Sequence, residues 1–245
     1  MEYKNLKIRA IVFDVYGTLL EVGAPAADAD LQWQKLFEEM RGTPLPLNRT
    51  EFFVRASQVI GNRHAEARAR GIQWPEIVWP SVVIEILPGL AQLSANQLDE
   101  FVFRQIQIGR ALRFAEHAAA CLRRMKELQV LLGIASNSQA YTLRELDTAL
   151  QGAGLSLSMF DPHLCFWSFE HGFSKPDPHV FRILTARLEA RGVRPSETLM
   201  VGDRLDNDIE PARAHGWQTW HFAPIKQARQ SGNWRDLLAW LEAGG

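Results

Sequence analysis

The chain has 245 residues, with 27 Lys and Arg against 28 Asp and Glu, for a formal net charge of -1. Such a balance argues against a basic surface built for nucleic acid or an anionic membrane. Two isolated cysteines, Cys121 and Cys165, and no apolar run long enough to span a bilayer argue against a disulfide scaffold and a membrane protein.

Residues 1–9 contain no apolar core of a signal peptide, which predicts a cytoplasmic protein. Asn48-Arg49-Thr50 has the form of a glycosylation sequon but is incidental without a secretory signal. Residues 8–13 read as a strand, and Ile11-Val12-Phe13 is the continuous apolar run of a buried parallel one. It ends in Asp14, followed by the turn residues Gly17 and Thr18. From about Ala27 to Arg113 the pattern becomes helical, with almost no strand signal. Asp28 or Asp30 is predicted to cap a helix through Trp33, Leu36, Phe37 and Met40, broken by Gly42-Thr43-Pro44-Leu45-Pro46. Thr50 is predicted to cap a helix carrying Phe53, Ala56 and Ile60. Trp74-Pro75-Glu76 reads as the start of a short helix with proline in its first turn. Ser94 and Gln97 form a capping box for a helix through Leu98, Phe101, Val102 and Ile106.

This all-helical block reads as an inserted cap, so the expected domains are a core of 1–22 with 113–245 and a helical cap of 23–112. After it, helices are predicted over 114–128, 140–150, 178–190, 209–215 and 234–242. Strands are predicted over 130–135, 164–167, 198–201 and 217–222. The alternation predicts an α/β fold, a doubly wound, Rossmann-like parallel sheet.

A parallel sheet gathers the carboxyl ends of its strands along one edge. Asp14, Ser136, Lys175 and Asp203 with Asp208 all follow predicted strands. A nucleophile, a hydroxyl, a fixed cation and an acidic pair together suit group transfer from a small anionic substrate. Each residue also has a plainer reading. Asp14, Ser136 and Asn137 could cap helices, and Asp206 and Asp208 could answer a helix dipole. Asp177 reads as a turn or cap residue, Glu170 and His171 as solvated loop. Trp33, Phe37, Phe52, Phe53, Trp74 and Trp79 read mostly as cap core, and Arg41 as a solvated helix end.

Four segments occur in order: Asp14-Val15-Tyr16-Gly17-Thr18, Ser136-Asn137, Lys175-Pro176-Asp177-Pro178, and Gly202-Asp203 with Asp208. With them the chain resembles the haloacid dehalogenase superfamily, and its helical insert resembles that superfamily's small helical cap. The resemblance implies that Asp14 forms a covalent aspartyl intermediate, with Thr18 and Asn137 at the same site. Ser136 and nearby backbone N–H groups would hold the oxygens of the transferred group, and Lys175 would neutralise the developing charge. It also implies Mg²⁺ as cofactor, bound by the Asp14 carboxylate, the Tyr16 carbonyl and Asp203, with Asp208 in support.

Tyr16 departs from the superfamily's phosphatases, which carry a second Asp two residues after the nucleophile to protonate the leaving group. Tyrosine, with an ordinary pKa of about 10, is a poor general base near neutrality, and such acid–base help is worth ~10²–10⁴ in rate. Asp-x-Tyr-Gly-Thr instead resembles the 2-haloacid dehalogenases, whose halide leaves without a proton. The fourth motif resembles metal-dependent phosphatases, and a second carboxylate beside the nucleophile would hinder a metal-free enzyme. The leading expectation is a Mg²⁺-dependent phosphatase of a small phosphorylated metabolite. A metal-independent 2-haloacid dehalogenase and a catalytically weak binding or regulatory protein are the alternatives. No motif specifies the substrate or the oligomeric state.

Overall fold

The central strand β1 (Ala10–Phe13) is wholly buried, as an uninterrupted apolar run requires. The computed structural model describes residues 7–223, 225 and 228–244, so residues 1–6 of the segment read for a signal peptide lie outside the described residues. After β1 come β2 (Leu20–Gly23) and the helices α1 (Ala29–Arg41), α2 (Arg49–Ala69), α3 (Trp79–Ile86) and α4 (Ala95–Gly109). Then follow β3 (Ala111–Phe114), α5 (Ala118–Glu127), β4 (Leu131–Ser136), α6 (Tyr141–Gly152), β5 (Cys165–Trp167) and the one-turn α7 (Ser168–His171). The chain continues through α8 (Pro178–Glu189), β6 (Thr198–Gly202), α9 (Glu210–Ala214), β7 (Gln218–Phe222), β8 (Ser231–Gly232) and α10 (Trp234–Glu242).

Six strands form one parallel sheet in the order β5-β4-β1-β6-β7-β8. The pleat divides β1 between two cores. Ile11 and Phe13 pack with Leu122 and Met125 of α5, Leu146 of α6 and Leu237 of α10. Ala10 and Val12 pack on the other face with Phe181 and Leu184 of α8 and Ala212 of α9. The sheet is thus doubly wound, as predicted.

The helical block α1–α4 has a core of its own. Trp33 packs against Phe52 and Phe101 at ring separations of 5.1 and 5.8 Å, and all three are fully buried. At roughly 1.5–3 kcal/mol for each large side chain removed from water, such a cluster can hold the block together. Among the described residues no helix is long and apolar enough to cross a membrane.

Several local expectations need correction. Asn48, not Thr50, caps α2, in a reciprocal capping box with Glu51. The residue of the apparent sequon is therefore a helix cap. Asp28 occupies the N-cap of α1 without a capping hydrogen bond, and its carboxylate instead accepts from Gln32 at 2.8 Å. The helix assigned to Trp74-Pro75-Glu76 begins only at Trp79, with a proline in its first turn. The extended stretch before it pairs with the segment following α7, through Glu76 N–H to Gly172 O at 3.0 Å and Ser174 N–H to Trp74 O at 2.9 Å. The Ser94–Gln97 box caps α4 as expected.

Two short strands missing from the sequence reading, β2 and β3, pair antiparallel from Leu20↔Phe114 to Gly23↔Ala111. The expected boundaries after 22 and 112 fall within these two strands. Residues 111–114, half of them exposed, carry too little apolar pattern to announce a strand. The two-residue β8 was also missed.

Candidate active site

The register of the sheet brings the polar strand ends together. Phe13 lies beside Ile134 and Val201, so Asp14 and Asp203, just after β1 and β6, and Ser136, the last residue of β4, lie within two residues of this register at the ends of three adjacent strands. The Asp14 N–H donates to Val201 O at 2.9 Å, which fixes the start of the loop after β1 to β6. Lys175 reaches this edge from the loop after α7. Its Nζ donates to Asp14 Oδ1 at 2.7 Å and to Asp208 Oδ1 at 2.5 Å. The Lys175 side chain is 1% exposed and that of Asp14 13%, so the carboxylate keeps an opening to solvent. A small cavity of about 170 Å³ includes Asp14, Tyr16, Asn137, Lys175, Asp203 and Asp208 in its lining.

Oxygens of Asp14, Asp203 and Asp208 lie within 4.8 Å of one another. Burial pushes the Asp14 carboxyl up to about 7, with Asp208 and Asp203 adding to the effect and Lys175 opposing it. Burial and Asp208 also raise Asp203. Burial alone would lower the Lys175 ammonium, but Asp14 and Asp208 hold it above its usual value. Three carboxylates around one ammonium leave negative charge uncompensated. An all-oxygen donor set of this kind suits Mg²⁺, which prefers oxygen ligands and retains several waters.

Two glycines allow this crowding. Gly17, at φ +80°, and Gly202 sit where a Cβ would run into the carboxylates of Asp203 and Asp208, respectively. Gly17→Ala is expected to cost about 1–3 kcal/mol from its left-handed backbone alone and to displace Asp203. A thermal melt of the purified variant checks this; an unchanged melting temperature would contradict it.

The other expected site residues occupy different roles. Asn137 clamps the Lys175 backbone, donating Nδ2–H to its carbonyl at 2.8 Å and accepting its N–H at 2.7 Å. Neither Ser136 nor Asn137 caps α6, whose N-cap is Ala140. The hydroxyls of Ser136 and Thr18 are buried and have no partner among the described residues. Asp208 is buried and also accepts the Arg204 N–H at 3.1 Å. Asp206 is exposed and pairs with the Arg204 side chain, while Asp177 caps α8. His171 stacks on Phe166 at 4.2 Å rather than standing free in solvent. Trp33, Phe37, Phe52 and Trp79 are buried in the cap, whereas Phe53 and Trp74 are exposed. Arg41 donates to Gln92 at 2.7 Å.

The largest departure concerns Tyr16. Its hydroxyl donates to Glu145 Oε2, accepts from Arg110 at 2.8 Å and lies 2.8 Å from the Thr142 hydroxyl. Arg110 also pairs with Glu145 at 2.6 Å and lies over the Tyr16 ring, 4.4 Å from its centroid. Gln107 donates to the other Glu145 oxygen at 2.6 Å. Burial, with help from Glu145 and opposition from Arg110, holds the Tyr16 phenol well above its usual pKa. Sequence reasoning missed this cluster. Its one signal was a carboxylate at Glu145 inside the buried stripe Thr142, Leu146, Leu150 of α6.

A hydrolase family model described as haloacid dehalogenase-like hydrolase matches residues 8–216. A glyceraldehyde 3-phosphate phosphatase of Pyrococcus furiosus is 33% identical over 117 residues, 48% of this chain and 45% of the relative. A phosphoserine phosphatase of Thermus thermophilus is 34% identical over 128 residues, 52% of this chain and 47% of the relative. The matches thus span about half the length of these curated relatives. The solved structure of an L-2-haloacid dehalogenase aligns with a TM-score of 0.57 at 22% identity, covering 96% of this chain and 99% of that one. At that identity the likeness is one of fold.

Proposed function

The chain belongs to the haloacid dehalogenase-like hydrolases, and from that premise we propose that it is a Mg²⁺-dependent phosphatase acting on a small phosphorylated metabolite. The observation that carries the reading is the trio Asp14, Asp203 and Asp208, whose oxygens lie within 4.8 Å of one another, with Lys175 paired to Asp14 and Asp208. The local similarity to two named phosphatases supports it.

In this reading the Asp14 carboxylate attacks phosphorus. Lys175 holds that carboxylate in place and offsets the charge gathering on the phosphoryl oxygens. The unpartnered Ser136 hydroxyl, and Thr18 beside the nucleophile, supply donors for those oxygens. Asn137 acts through Lys175, whose backbone it clamps. Asp14, Asp203 and the Tyr16 carbonyl would hold Mg²⁺, with Asp208 behind them. Bound there, the ion supplies positive charge to the transferring phosphoryl group. We assign the protein to the cytoplasm because Cys121 and Cys165 are both free, as in a reducing compartment.

Activity on a panel of phosphoryl substrates should vanish in EDTA and return with Mg²⁺; activity indifferent to the chelator would overturn the reading. A second prediction follows from Asp14. Its folded-state pKa of about 7 exceeds the ordinary 3.8, so the metal-free fold binds this proton more tightly than the unfolded chain. The metal-free fold therefore loses stability as pH rises from about 4 through 7. Magnesium must displace the same proton, so its apparent affinity should be roughly tenfold weaker at pH 6 than at pH 8. The rise in melting temperature with Mg²⁺ at the two pH values measures this, and a larger rise at pH 6 would refute it.

Tyr16, in the segment Asp14-Val15-Tyr16-Gly17-Thr18, also favours a second reading, a 2-haloacid dehalogenase. Halide release from 2-haloacids in EDTA would establish it, and no release would remove it.

A further inference from the structure

Resting on the phosphatase reading, we propose that this site takes phosphoryl compounds whose leaving group departs without a proton, specifically acyl phosphates. The ground is geometric: Tyr16, at the position of the superfamily's second Asp, has its hydroxyl engaged with Glu145 and Arg110.

A phenolic hydroxyl has one proton to give. That of Tyr16 is directed to the Glu145 carboxylate, while Arg110 donates to the phenolic oxygen. The Glu145 side chain is 0% exposed and already paired with Arg110. Turning the phenol toward a substrate would strip a buried carboxylate of one of its three donors, with only Gln107 and Arg110 left. Leaving buried polar groups short of partners is costly.

The remaining groups around the cavity offer no substitute. Asp14 is the nucleophile. Asp208 is committed to Lys175 and to the Arg204 N–H, and Asp203 completes the carboxylate trio. Lys175 spends two of its three N–H bonds on Asp14 and Asp208. Asn137 is an amide held to the Lys175 backbone. Arg204 is paired with Asp206 and Asn207 is an amide, so among the described lining residues no further carboxyl stands beside the trio.

The chemistry selects the substrate. An alkyl phosphate must expel an alkoxide, a base comparable to the conjugate base of water, whose pKa is about 16. An acyl phosphate expels a carboxylate, whose acid has a pKa of about 4. In the first step an Asp14 oxygen bonds to phosphorus. The bond from phosphorus to the bridging oxygen breaks, and its electron pair leaves with that oxygen as a free carboxylate. No proton moves. In the second step water attacks the phosphorus of the aspartyl phosphate. The Asp14 carboxylate is released, and both hydrogens of the water leave on dihydrogen phosphate.

The test is a leaving-group series with the Mg²⁺-loaded full-length protein: acetyl phosphate, 4-nitrophenyl phosphate, phenyl phosphate and an alkyl phosphate. The expected kcat/KM falls in that order by at least ~10³ from first to last, the scale of missing acid catalysis. The same series is run on Tyr16→Phe, which should change every kcat/KM by a similar factor, because the hydroxyl never serves the leaving group. An alkyl phosphate turned over within tenfold of acetyl phosphate would overturn the inference and leave the phosphatase reading standing. So would a Tyr16→Phe loss concentrated on poor leaving groups. Hydrolysis of none of the four by the parent protein would instead remove the phosphatase reading itself. The wild-type series stands even if Tyr16→Phe does not fold.

Discussion

Asp14→Asn is expected to lower turnover by roughly 10⁴-fold or more, as removal of a nucleophile does, while raising the melting temperature of the metal-free protein. The two effects share one cause. Asp14 is buried beside Asp208 and Asp203, and this environment pushes its carboxyl up to about 7 although Lys175 pulls it down. An amide of the same shape can still accept the Lys175 hydrogen bond, now 2.7 Å long, but adds no charge to the cluster. Catalysis loses its attacking oxygen, and the fold loses a repulsion. Steady-state kinetics and melting in EDTA measure the pair. Turnover within tenfold of the parent protein would remove Asp14 as nucleophile, and a fall in melting temperature would contradict the electrostatic account.

Arg110→Met is expected to cost about 3–5 kcal/mol of stability, the usual cost of leaving one member of a buried ion pair alone. The Glu145 side chain is 0% exposed and that of Arg110 21%, with a contact of 2.6 Å between them. Without the guanidinium, Glu145 keeps only Tyr16 and Gln107 as hydrogen-bond donors, and the Tyr16 ring loses the cation above it. Adding Glu145→Gln should recover most of the loss, because the amide removes the orphaned charge. Denaturant titrations of the two single variants and the double variant give the coupling directly. Additive losses would mean that Arg110 and Glu145 act independently.

The Arg110–Glu145 cycle also tests how α4 is held to α6. Arg110 is the residue that ends α4, and Gln107 lies one turn earlier on that helix. Both fasten to Glu145 of α6, and farther along Arg144 pairs with Glu100 at 2.6 Å and lies over Phe103. α4 is thereby fixed along its length to α6, and the loop after β1 joins the same cluster through Tyr16. Tyr16 is thus a partly buried strut between that loop and the helices α4 and α6.

Much of the core was legible in the linear chain, for identifiable reasons. Ile11-Val12-Phe13 could be read as a buried strand because parallel strands are apolar on both faces. Ser94 and Gln97 could be read as a capping box because that motif is local. The gathering of Asp14, Ser136, Lys175 and Asp203 followed from the rule that parallel strands end together, and the register of β1 with β4 and β6 carries it out for the strand ends. Short strands such as β2 and β3 were not legible, because four residues pairing mainly through their backbones leave little pattern. The extended stretch at Trp74-Pro75-Glu76 looked helical because a proline in a first turn and a proline in an edge pairing are locally alike.

By itself the sequence determined the alternation of the main strands and helices, the helical insert and the set of polar residues at the strand ends, all properties of apolar periodicity and of polar residues placed just after strands. Only the tertiary structure decided what Tyr16 does. Its partners Arg110, Thr142 and Glu145 lie 94, 126 and 129 residues away in the chain. No local pattern records where a hydroxyl's one proton will point. That direction depends on a buried carboxylate from α6 and a guanidinium from the end of α4 meeting at the loop after β1, and only the packed chain brings them together.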